Sequence, residues 1–122
     1  MRTHEEIKPA VFIYVANPDT CAAVTKWLGE GLEEEGVPFE IRYASGDAEV
    51  LAAEAARGSR LGVGIGVGSD GKCVLQHRRL PANQPLAQVP STTGSRERYR
   101  LIGSHAARLV KNLPLKEENR GS

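Results

Sequence analysis

A chain of 122 residues is the size of one ordinary domain, able to bury roughly two-thirds of its unfolded surface and with no room for a second. Apolar residues at 40% and charged residues at 25% exclude wholesale disorder, and a formal net charge of +1 excludes a strong overall field toward nucleic acid, an anionic membrane or an acidic substrate. Any partner must therefore be selected by local features, and residues 1–122 are expected to form a single domain with an ordered core over about 9–115 and polar termini.

Residues 10–16 (AVFIYVA) form a short apolar run rich in β-branched and aromatic side chains, which predicts a central strand buried on both faces. Asn17-Pro18-Asp19-Thr20 supplies turn and capping residues, and Val24, Trp27, Leu28 and Leu32 recur at helical spacing. This helix should stop at Gly36, which suits a left-handed cap, ahead of Pro38. Residues 38–43 (PFEIRY) then alternate like a strand. Ser45 or Asp47 can cap a second, alanine-rich helix with Val50, Leu51 and Ala55 on its apolar side, ending near Gly58.

Residues 61–67 read as a third strand, Ser69-Asp70-Gly71 as a tight turn and residues 73–77 as an antiparallel hairpin partner. Residues 86–89, between Pro85 and Pro90, are expected at a sheet edge because proline removes a ladder donor. The last helix should run from Ser95 to about Lys111 with Tyr99, Ile102, Ala106, Leu109 and Val110 inward, closed by Pro114. The order β-α-β-α-β-β-β-α predicts an α/β fold: a mixed, mostly parallel sheet of about five strands between helical layers.

Residues 66–73 (GVGSDGKC) approach a phosphate-binding loop, but Cys73 replaces the magnesium-holding hydroxyl and the following KCVLQHR alternates as a strand where the motif needs a helix N-terminus. A glycine-rich hairpin is the better reading. Gly62, Gly64, Gly66 and Gly68 fall on one face of the strand, where a helix or another backbone could approach closely.

Glu30, Glu33, Glu34 and Glu35 crowd the C-terminal end of the first helix, where the helix dipole disfavours negative charge. At 100° per residue Glu30, Glu33 and Glu34 lie opposite the apolar stripe, so they are expected to point outward together, either as a solvated acidic face or as a contact for a metal or a basic partner. Oxygen ligands of this kind favour magnesium or calcium over zinc. On the last helix Arg100, Ser104, Arg108 and Lys111 form a row away from the buried stripe. That row and the cluster His77-Arg78-Arg79 are read as solvated faces. No aromatic set is interleaved with these bases, which argues against nucleic acid.

The conceivable nucleophile is Cys21 near a helix N-terminus, with His77 or His105 as its base, but nothing in the spacing supports it, and His4, His77 and His105 lack metal-ligand spacing. Cys21 and Cys73 are therefore expected as reduced core thiols of a cytoplasmic protein, and no segment reads as a signal or membrane span. The expected chain is non-catalytic.

Residues 31–41 (GLEEEGVPFEI), the hairpin followed by residues 80–86 (LPANQPL), and residues 105–115 (HAARLVKNLPL) together resemble the small-subunit family of cobalamin-dependent diol or glycerol dehydratase reactivases. The resemblance runs in order along most of the chain. It implies a three-layer, Rossmann-like α/β/α fold related to the dehydratase medium subunit, and a large, chaperone-like ATPase partner that binds ATP or ADP. It also implies exchange of this chain for the dehydratase subunit so that damaged cobalamin escapes, in the cytoplasm within or near a bacterial microcompartment. The middle glutamate of the triplet, Glu34, is implied as a magnesium ligand at the subunit interface, flanked by Glu30 and Glu33. The sequence departs from the pattern at residues 69–72 and at Ser104-His105. The rival readings are a stand-alone nucleotide-binding protein using residues 66–73 and a dehydratase-like scaffold subunit without reactivase activity.

Overall fold

The computed structural model describes residues 9–112. His4, Pro114 and the expected core limit at 115 lie outside the described residues. The elements are β1 (Val11–Val15), α1 (Ala22–Glu34), β2 (Phe39–Tyr43), α2 (Ala48–Gly58), β3 (Val63–Val67), β4 (Cys73–His77), β5 (Ala87–Val89) and α3 (Arg96–Val110), in the order expected. The sheet order is β2-β1-β3-β4-β5, with β1 parallel to β2 and β3, and β4 antiparallel to both its neighbours. Among the described strands β4 alone runs against the rest, which gives a mixed sheet with two parallel and two antiparallel pairings in an α/β/α fold.

Strand residues alternate between the two helical layers. Val11, Ile13, Val15, Val63, Ile65, Val67, Cys73 and Leu75 face α1 and α3, meeting Val24, Leu28 and Leu32 of α1 and Tyr99, Ile102 and Ala106 of α3 in one cluster. The opposite face belongs to α2, whose Ala48 and Ala52 pack on Val74. Here β3 has no side chains at Gly64 and Gly66, and a Cβ at either would meet α2 backbone at 2.2 and 2.3 Å. The alternating glycines thus admit a helix backbone, as their spacing implied.

Four local expectations change. Phe12 and Tyr14 are only half-buried, so β1 is buried fully on its α1/α3 side and partly on the other. Asn17 Oδ1 accepts the Asp19 and Thr20 N–H groups, but the α1 N-cap is Cys21, whose side chain makes no capping bond. Val50 is 47% exposed, because the buried face of α2 is set by Ala48, Leu51, Ala52 and Ala55 and at about 100° per residue Val50 falls on the other side. Finally, among the described residues β2 pairs with β1 alone and no strand covers its other edge, with four of its five residues exposed.

Candidate functional site

The C-terminal edge of the parallel strands, where α/β folds usually hold ligands, is closed by the chain's own groups. Cys21 Sγ donates to Gly68 O at 3.3 Å, and Ala16 N–H to Val67 O at 2.9 Å. The hollow beside it is lined by Asp47, Glu49, Gly68, Ser69, Asp70 and Lys72. Lys72, the would-be phosphate lysine, is ion-paired with Glu49, whose hydrogen bond raises its pKa. Residues 68–72 turn directly into β4, with Gly71 at φ 92°. Three carboxylates, a filled helix cap and no following helix make this a poor seat for a nucleotide phosphate.

Cys21 and Cys73 are buried free thiols, and burial pushes the Cys73 thiol far above its ordinary range. Neither is a nucleophile in this setting. His77 is held below its usual pKa by partial burial and then by Arg79 and Arg78.

The acidic end of α1 keeps Glu33 and Glu34 at the surface, as expected, but draws Glu30 and Glu35 in against α3. Helices α1 and α3 touch through glycine: a Cβ at Gly31 would lie 2.0 Å from Arg100 O, and one at Gly103 would lie 2.1 Å from Leu28 O. That approach brings the basic row of α3, expected to be solvated, onto the carboxylates. Arg100 ion-pairs with Glu34 through its Nη2 and lies 3.5 Å from Glu30, which Arg96 also meets at 3.3 Å. Ser104 is 2% exposed and donates its hydroxyl to Glu35 at 3.0 Å, while Arg108 and Lys111 each stand 3.4 Å from the same carboxylate. Lys111 also donates to the Glu35 carbonyl at 2.7 Å, satisfying an end carbonyl of α1. The Ser104 hydrogen bond, aided by Arg108 and Lys111 and opposed by desolvation, holds the Glu35 carboxyl below its usual range.

The misplaced negative charge is therefore balanced within the chain, and Glu35, left out of the sequence-based interface set, is its most enclosed member, with a side chain 14% exposed. A pair of signals could have found it: the run of glutamates into Gly36, and the i, i+4, i+8 spacing of Arg100, Ser104 and Arg108. Glu33 and Glu34 remain at the surface. Glu30, Glu33, Glu34, Arg96 and Arg100 line one shallow hollow, and Glu33 also borders another with Gly36, Val37, Pro38 and Phe39.

As a magnesium seat this cluster is incomplete. Among the described residues no group of three or more acidic, histidine or cysteine side chains is placed to hold an ion, and the Arg100 guanidinium beside Glu34 opposes a cation. The described residues offer surface carboxylates, not a cage. Among the described residues no helix is long and apolar enough to cross a membrane.

Comparison with known proteins places these features. A family model for the dehydratase medium subunit matches residues 8–116. The small subunit of the propanediol dehydratase-reactivating factor of Salmonella typhimurium is 37% identical over 110 residues, covering 89% of this chain and 91% of the relative. The small subunit of the diol dehydratase-reactivating factor of Klebsiella michiganensis is 36% identical, covering 91% and 86%. Among solved structures, a glycerol dehydratase reactivase matches with TM-score 0.85 and 41% identity over 92% of this chain and all of its counterpart. A diol dehydratase-reactivating factor complexed with ADP and Mg2+ matches with TM-score 0.80 and 34% identity, over 90% and 99% of the two chains.

Proposed function

The chain belongs to the dehydratase medium subunit family, among the small subunits of diol and glycerol dehydratase-reactivating factors, and from that premise we propose that it is a non-catalytic docking subunit that cycles between two protein partners. One is a large subunit that binds ATP or ADP; the other is the cobalamin-dependent dehydratase. Its likeness to the medium subunit supports a surface that competes for the same seat. Differential affinity then drives the swap, and damaged cobalamin leaves while the seat is exchanged.

The observation that carries this reading is the family match along nearly the whole chain, and the filled ligand crevice agrees with it. Within it, Glu30, Glu33 and Glu34 on the α1 end form the face offered to the large subunit, and Glu34 contributes one ligand to a magnesium ion that the partner completes. Magnesium there would supply a charge bridge between subunits. This chain's part is to hold Glu34 at the helix end and to let Arg100 exchange its carboxylate partner when the large subunit arrives. The cycle belongs to the cytoplasm, within or near a bacterial microcompartment.

The test is cobalamin release from inactivated dehydratase by the large subunit with ATP and magnesium, with and without this chain. Release that requires the chain is expected, together with co-elution of chain and large subunit in ADP and magnesium. Release indifferent to the chain would instead favour a scaffold subunit of dehydratase type.

A further inference from the structure

Independently of the reactivase reading, we propose that the edge of β2 left open among the described residues is a self-recognition surface, on which a second copy of this chain adds its own β2 in antiparallel register about Ile41. The strand reads Phe39-Glu40-Ile41-Arg42-Tyr43, aromatic, acid, aliphatic, base, aromatic. Turned end over end about Ile41, this string complements itself. Glu40 faces Arg42 of the second copy, Arg42 faces its Glu40, Phe39 faces its Tyr43, and Ile41 faces Ile41. A parallel in-register pairing would instead set acid against acid and base against base, so the charges select the two-fold arrangement.

The backbone agrees with the register. Pro38 O accepts from Val11 N–H and Ala44 N–H donates to Val15 O, so the even-numbered positions of β2 direct their polar groups to β1. In a parallel ladder these directions alternate, which leaves the N–H and C=O of Phe39, Ile41 and Tyr43 on the free edge. These are the residues that the two-fold pairs, and each pair can exchange both its backbone bonds. Unpaired edge groups of this kind are a template for an added strand.

The side chains are already presented for it. Arg42 bonds Glu40 at 2.9 Å and lies 4.5 Å over the Phe12 ring, which holds both charges on the α2 side of the strand. Ile41 and Tyr43, 39% and 65% exposed, stand on the α1 side, where the partner strand would cover them. The opposite edge offers no rival, since β5 has three residues and lies between Pro85 and Pro90. Five residues a side make a small interface, which suits a weak pair that a larger partner can displace.

The experiment is sedimentation or light scattering of the full chain from low to high micromolar concentration, with charge reversals at the two exposed positions. The wild type should dimerise with increasing concentration. Glu40→Arg and Arg42→Glu should each weaken dimerisation about tenfold or more, while circular dichroism stays unchanged. An equimolar mixture of the two single variants should restore dimers, because each then supplies the charge that the other lacks, and the double variant Glu40→Arg/Arg42→Glu should pair with itself. A wild type that stays monomeric throughout overturns the proposal. So does a dimer indifferent to both single reversals, or a failure of both the mixture and the double variant to recover dimers.

Discussion

Helix α2 closes on the sheet through Gly64 and Gly66, and α1 closes on α3 through Gly31 and Gly103, so both seams bring backbone against backbone. They differ at the rim. Beside α2 lies the Lys72–Glu49 pair, whereas the α1–α3 seam is edged by Glu30, Glu34 and Glu35 against Arg96, Arg100, Arg108 and Lys111. Close approach alone does not need charge, since the α2 seam manages without a row of it. The ladder on the other side therefore answers a separate problem, negative charge at a helix C-terminus, and leaves acidic groups at the surface that a partner can engage.

Adding one methyl to either seam should have the largest effect. Gly31→Ala and Gly66→Ala each force backbones apart and should cost about 1–3 kcal/mol in urea unfolding, the typical penalty for overpacking. The comparison sharpens if chemical shifts of the α3 arginines move only in Gly31→Ala. Equal disturbance by both variants would mean that the two seams are not independent.

A smaller effect is expected from Arg100→Gln, which removes the ion pairs to Glu34 and Glu30. Partly exposed pairs contribute about 0–1 kcal/mol, so the midpoint should shift little. A loss well beyond that would show that the ladder, not the glycine contact, holds the helices.

The smallest effects are in pH dependence, and they separate the rims. Glu35 has a lowered folded pKa, caused first by Ser104, so its contribution is present above the unfolded value near 4.5 and is lost as pH falls through the folded value. Ser104→Ala should move the acid limb of unfolding to higher pH. Lys72 has a raised folded pKa through Glu49, so its contribution is complete below 10.5 and disappears as pH rises through the folded value. Glu49→Gln should move the alkaline limb to lower pH. Reversed assignments in proton titrations of the two variants would contradict the cited causes.

The element order and the packing role of Gly64 and Gly66 were legible because periodicity and glycine spacing report directly on a helix or strand. The α1–α3 interlock was not. Gly31 and Gly103 carry no apolar signal, and Arg100, Ser104 and Arg108 lie opposite the buried stripe by angle yet reach a neighbouring helix obliquely. The free edge of β2 was hidden for a different reason: PFEIRY alternates as any half-buried strand does, and edge or interior is decided by which strands come beside it. Val50 misled because its apolar character concealed its angle: at about 100° per residue it stands about 140° from Ala55, and the alanines, not the valine, define the buried face.

The most direct measurement is calorimetric titration of this chain into the large reactivase subunit with ADP and magnesium, repeated with Glu34→Gln. A saturable complex that the substitution weakens about tenfold, with unfolding midpoints unchanged, is the predicted result. Equal affinity for both forms, or no complex with any nucleotide, would contradict a chain that works by presenting its acidic helix end to a neighbour.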